Sequence, residues 1–233
     1  MKRLVTREIR ASLRMSTALL SIFGAGTAVA QTNIGSAVQV ERNVSGTFGG
    51  RTRTLAVSDG VVSNENIKTD NASNAQLRFL DQTTLAIGPT SSVILDRFVY
   101  NPDRTARDGT VQMSIGAARW VGGATQSDVY KVQTPHAVIG VRGTVFDLLV
   151  ENYRTIVVLR EGTIIVCLVR ARQRCVTVSA PDSVVVVTFA DIRGPTPIAP
   201  SPTQFADNCL RPVDRRLSFC ATQAFAEEPL EID

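Results

Sequence analysis

Between residues 34 and 190, short runs of Val, Ile, Thr and Leu are broken by Gly, Pro, Asn or Asp about every ten residues. The runs predict strands at 52–57, 75–80, 83–88, 92–98, 110–116, 129–134, 145–150, 155–160, 163–169, 175–180 and 183–189. In TVQMSIG (110–116), Val111, Met113 and Ile115 alternate with Gln112 and Ser114, the period of two that places one side of a strand in a core. The separators have turn chemistry: Asp59-Gly60, Asn101-Pro102-Asp103, Asp108-Gly109, Gly122-Gly123 and Glu161-Gly162 supply positive φ, a missing ladder donor or an Asx bond. No stretch of this region keeps a helical period, so the expected class is all-β. The short strands form either a β-solenoid-like stack or a sandwich, and no repeat of fixed length decides between them.

The ends read differently. Lys2, Arg3, Arg7, Arg10 and Arg14 precede a small apolar run, and Ala28-Val29-Ala30 forms an A-x-A cleavage signal. Residues 1–30 are therefore expected to be a signal peptide, helical in its apolar part, and residues 31–192 the folded domain. From 193 to 233 a Pro-rich linker, GPTPIAPSP, leads into an irregular, cysteine-containing tail. The apolar run of the leader falls short of the roughly 20 residues a spanning helix needs, and no later run comes closer. No membrane span is expected after cleavage, and the mature protein is expected in the periplasm or outside the cell.

Removing the leader changes the charge argument. It carries five of the 25 Lys+Arg and one of the 21 Asp+Glu, leaving 20 against 20. The basic pI of 9.1 belongs to the leader, and nothing in the mature chain favours nucleic acid. Export also gives the four cysteines a reading. Cys167 and Cys175 flank a predicted hairpin turn and suit a disulfide, and Cys209 and Cys220 suit a second one in the tail. Their spacing, with a single histidine in the chain, gives no metal site.

That histidine, His136, follows Thr134-Pro135 in a predicted turn and has a structural or exposed role. It rules out any triad needing further histidines, and no nucleophile elbow, P-loop or dinucleotide fingerprint occurs. Asp81, Asp96 and Asp147 border apolar strands, where a turn or ion-pair role fits better than a catalytic carboxylate pair. No catalytic residue and no cofactor is assigned. Trp120, the only tryptophan, stands beside the Gly122-Gly123 turn as a possible partner contact, although burial fits a lone tryptophan at least as well.

One segment is particular. In TPHAVIGVRGTVFDL, Thr134, Pro135, Ala137, Gly140, Arg142, Gly143 and Thr144 make the pattern T-P-x-A-x-x-G-x-R-G-T. Upstream, Asp81, Thr83, Leu85, Gly88 and Pro89 make D-x-T-x-L-x-x-G-P. Together with MSIGAARWVGG and VLREGTIIV, this order resembles the FecR domain, a bacterial extracytoplasmic module known from iron-uptake signalling. The resemblance extends over about residues 34–190. It implies an all-β sensing or binding module without catalytic activity, working through an envelope protein partner. Regulators of that family carry a cytoplasmic segment before a membrane helix. Here fourteen residues precede the apolar leader, so a stand-alone exported member is expected. An envelope glycan- or polysaccharide-binding protein is the alternative. Arg142, always charged and flanked by glycines, is expected to be a buried clamp between strands, with Asp81 or Asp96 ahead of Asp147 as its partner. A ligand-facing Arg142 is the other reading.

Overall fold

The computed structural model describes residues 32–124 and 129–197, and every regular element among them is a strand. In chain order these are β1 (Asn33–Glu41), β2 (Val44–Phe48), β3 (Arg51–Thr54), β4 (Gly60–Val62), β5 (Glu65–Thr69), β6 (Asn74–Phe79), β7 (Thr84–Ile87) and β8 (Ser92–Tyr100). Then follow β9 (Ala106–Val121), β10 (Tyr130–Gln133), β11 (Ala137–Val150), β12 (Arg154–Leu168), β13 (Ala171–Val178), β14 (Ser183–Thr188) and β15 (Ile192–Pro197). The all-β expectation holds. The leader, its cleavage site and the pair Cys209–Cys220 lie outside the described residues.

All fifteen strands belong to one hydrogen-bonded sheet, paired antiparallel except for β9 against β10. The sheet turns back on itself through three long strands. β9 pairs with β8 and β10 in its first part and with β7 and β11 in its second. β11 pairs with β10 in its first part and with β9 in its second. β12 pairs with β14 first and β13 afterwards. The changeovers fall at Gly116, Gly143 and Gly162, whose φ angles are 103°, 54° and 86°. Glycine takes this left-handed backbone without the cost a Cβ would bring, so strands can cross from one layer to the other at these points.

A two-layer sandwich results, made from one bent sheet rather than from stacked coils. The first layer runs β4-β1-β6-β7-β9-β11-β12-β14-β15, and the second joins β3, β2, β5, β8, β10 and β13 to the remaining parts of β9, β11 and β12. The inner faces meet in a single core. Phe79 of the first layer packs on Phe98 of the second at 4.7 Å between ring centres, and Trp120 meets Tyr130 edge-on at 4.9 Å.

Periodicity missed the strands between residues 33 and 48, β4 and β5, where Gly, Asn and Ser dilute the apolar signal. It also placed the start of the linker at Arg193. Residues 193–197 instead extend β15 along β14, with Thr196 opposite Val184 and Ser183 opposite Pro197. An edge strand tolerates the missing donors of Pro195 and Pro197 because only one of its sides is paired.

Candidate functional site

Some of the residues singled out by the sequence, Asp81, Thr83, Gly143 and Thr144, meet at the bend. Asp81, in the turn between β6 and β7, is 2% exposed. Its Oδ1 accepts from the Thr83 backbone N–H at 3.1 Å, and its Oδ2 accepts from the Thr83 hydroxyl at 3.0 Å and the Tyr130 hydroxyl at 2.8 Å. One carboxylate thus closes its own turn and ties it to the opposite layer. Thr83 Oγ1 in turn accepts from the Gly123 N–H at 3.1 Å, and Ala124 N–H donates to the Asp81 carbonyl at 2.8 Å. A Cβ on Gly123 would stand 2.3 Å from that carbonyl oxygen, so the approach needs glycine.

The contacts continue into the second motif. Gly122 N–H donates to the Thr144 carbonyl at 2.9 Å, and Thr144 is 2% exposed. A Cβ on Gly162 would come within 2.5 Å of the Gly143 carbonyl. The D-x-T turn, the Gly122-Gly123 corner, the R-G-T bulge and Gly162 therefore form one continuous knot at the layer changeover. Gly88 and Pro89 are buried nearby, with the Gly88 carbonyl accepting from the Thr69 hydroxyl at 2.6 Å.

Thr134, Pro135 and His136 stand at the far end of the first part of β11. Thr134 Oγ1 accepts from the N–H groups of His136 at 3.2 Å and Ala137 at 2.9 Å, and lies 2.9 Å from the Thr155 hydroxyl of the first layer. His136 is fully buried, with Nδ1 3.0 Å from Thr155 Oγ1 and its ring 4.3 Å from that of Phe189. Burial pushes its pKa below the usual histidine value, against a backbone hydrogen bond with Asn152. Pro135 is exposed. Gly140 lies on the outer face with only ordinary contacts to Ile165.

Two expectations are corrected. Arg142 is exposed on the outer side of the bulge and is not a buried clamp. Positive φ at Gly143 and the register shift between Arg142 and Val145 turn it outward. None of its three expected carboxylates serves it. Asp81 is taken by Thr83 and Tyr130, Asp96 accepts from Gln112 Nε2 at 2.9 Å, and Asp147 holds two other arginines. Trp120, the possible partner contact, is 1% exposed and packs between Tyr130 and Phe146. Alternation sends it inward with Ala118, while Arg119 points out.

The buried charge lies five residues further along β11. Asp147 is 0% exposed; Arg119 Nε and Nη2 bond to its two oxygens at 2.5 and 3.0 Å, and Arg160 Nε donates to it at 2.9 Å. Arg160 also reaches Asp182 at 2.7 Å. Register explains the meeting, since Asp147 stands opposite Arg119 on one side and Val158 on the other. A second such centre places Glu65, 1% exposed, under Arg53 at 2.9 Å. Both were missed because partners 12 to 28 residues apart meet only once strand order is known.

Burial drives the phenols of Tyr100 and Tyr130 well above the ordinary tyrosine range, so both stay protonated and Tyr130 keeps donating to Asp81. Asp81 and Asp147 spend their oxygens on partners inside the fold. The hairpin β12–β13 carries the expected disulfide, with Cys167 opposite Cys175.

Residues 65–165 match the family model described as FecR protein, which bears out the resemblance read from the two motifs. Two crystal structures, each of "a putative anti-sigma factor from Parabacteroides distasonis ATCC 8503", are similar at 18% identity and a TM-score of 0.43. The similarity covers 55% of this chain and 57% of the other, so the chain spans little more than half the length of those proteins. No curated protein matches.

Proposed function

Taking residues 65–165 as a FecR domain, we propose that the chain is a non-enzymatic sensing and interaction module that works in the bacterial envelope by binding a protein. The observation that carries this reading is the family match over the region that contains both motifs. The geometry supports it, because the motif side chains Asp81, Thr83 and Thr134 and the Thr144 carbonyl are used to hold turns and the bend. Action outside the cytoplasm rests on the basic and apolar leader with its A-x-A signal, and on the Cys167–Cys175 disulfide, which an oxidising compartment preserves. Among the described residues, no helix is long and apolar enough to cross a membrane.

Protein contacts have backbone available. Among the described residues, β3, β13 and β15 each pair on one side only, and their side chains are mostly exposed. An extended segment of a partner would add to such an edge through main-chain hydrogen bonds. The glycan reading loses its main aromatic with Trp120 buried, since Tyr130 is buried too and Tyr153 is the tyrosine left open, at 60%. A pull-down from envelope extract with the mature protein tests the proposal. Recovery of a defined protein is the expected result, and retention on peptidoglycan or polysaccharide with no protein recovered overturns it.

A further inference from the structure

The open edge of β13 carries unspent groups of two kinds. Among the described residues this strand pairs with β12 alone. Cys167 of β12 and Cys175 of β13 stand opposite each other, 4.0 Å apart at Cα. That close spacing marks a pair whose N–H and C=O groups point away from each other. The alternation then aims the main-chain groups of Cys175 and Thr177 at the open side, and those of Val176 and Val178 at β12. The bridge fixes β13 on β12 at this point, so an added strand would meet an edge already in place.

Charge at the same edge is one-sided. Arg174 donates to the Ala190 carbonyl at 3.1 Å and to Asp191 at 2.9 Å, and Arg193 shares that carboxylate at 3.7 Å. Arg170 and Arg172 are exposed, and among the described residues no carboxylate pairs with either. Arg170 is nonetheless held in place. The Val169 N–H donates to the His136 carbonyl at 2.9 Å, the His136 ring lies 4.3 Å from that of Phe189, and the Arg170 guanidinium stands 5.0 Å over the Phe189 ring. A guanidinium stacked by its face keeps its N–H fork for a carboxylate. The other edges lack this combination. Arg53 of β3 is already bonded to Asp59 and Glu65, and Pro195 and Pro197 of β15 bring no donor.

Resting on the reading of the chain as a protein-binding module, we propose that the edge of β13 docks an extended acidic segment of the partner protein. The segment's main chain pairs with Cys175 and Thr177, and its carboxylates take Arg170 and Arg172. A phospholipid surface offers phosphates to the arginines but nothing that continues a strand ladder.

Fluorescence anisotropy of the full chain with a labelled octapeptide of alternating glutamate and valine tests this, beside a lysine–valine counterpart and sedimentation with phosphatidylglycerol vesicles. The acidic peptide is expected to bind, and Arg170→Gln with Arg172→Gln to weaken it at least about fivefold. In the parent, the peptide should slow hydrogen exchange at the Cys175 and Thr177 amides, a readout that needs no variant to fold. Equal binding of the lysine peptide, no binding up to about 1 mM, unchanged affinity in the double variant, protection at β3 or β15 instead, or binding to the vesicles alone overturns the proposal. Equal recovery of one protein from envelope extract by the parent and the double variant overturns this edge alone, whereas recovery of none by the parent overturns the protein-binding reading.

Discussion

Replacing Asp147 with asparagine removes one charge while keeping the shape of the side chain, and leaves two guanidinium groups facing an amide. The carboxylate is 0% exposed and receives three N–H donors from Arg119 and Arg160. Uncoupling a buried pair by removing one partner costs about 3–5 kcal/mol, because the other charge stays desolvated. Here the low end applies. The arginine side chains keep 14% and 16% of their surface in water, and Arg160 still has Asp182. The expected loss is about 3 kcal/mol, or about 6–12 °C in Tm at roughly 2–4 °C per kcal/mol for a domain of this size. Urea unfolding followed by the fluorescence of Trp120, the only tryptophan and 1% exposed, reads it directly. A double-mutant cycle adding Arg119→Leu should show coupling of about 1 kcal/mol or more. A loss below about 1 kcal/mol, or strict additivity of the two changes, would refute the assignment of this centre as the strut between β9, β11 and β12.

Arg142→Ala, in contrast, should cost no more than about 1 kcal/mol in the same urea assay, since even a paired side chain at an exposed position contributes little. Gly162→Ala places a Cβ 2.5 Å from the Gly143 carbonyl at φ 86° and should cost about 1–3 kcal/mol or more, read as a fall in Tm while Gly140→Ala, uncrowded, stays close to the parent. The Cys167–Cys175 bridge closes a loop with a separation of 8, so the pair of substitutions Cys167→Ser and Cys175→Ser should cost up to about 2.5 kcal/mol by chain entropy, and adding reductant should lower the Tm of the parent by more than that of the variant. His136 is held neutral by burial and binds its proton less readily when folded than when unfolded. Its contribution is therefore complete above the unfolded value of about 6.5 and is lost as pH falls below it. As the chain has one histidine, His136→Gln should flatten the stability profile between about pH 5 and 6.5, and an unchanged slope would refute the assignment.

What was legible in the sequence is what period and turn chemistry encode locally. Alternation in TVQMSIG held, with Val111 and Met113 buried and Gln112 half-buried, and it failed at Ile115, 38% exposed, where the strand approaches the bend at Gly116. The Cys167–Cys175 pairing was readable because a hairpin brings near neighbours face to face. Asp81 was readable as a turn residue, though its bond to Tyr130, 49 positions away, was not. Partners for a buried charge depend on strand order, and that order is set by three strands crossing between layers, which no local pattern announces.

Arg142 stands where one sequence pattern admits two backbone paths. Glycine on both sides of an arginine in an apolar run reads equally as room for a buried guanidinium or as a bulge that expels it. The decision rests on whether Gly143 takes positive φ, and it does, at 54°. Once the bulge exists, parity on β11 is reset, and Asp147 falls opposite Arg119 instead of beyond reach. The same bend that sends one arginine into water thus assembles the charge centre from two others. The R-G-T motif is accordingly a statement about backbone path: Gly143 and Thr144 are held by Gly122 and Gly162, and the arginine between the glycines is left on the surface. Of the motif side chains, Arg142 and Pro135 are exposed, while Asp81, Thr83 and Thr134 bond within the fold.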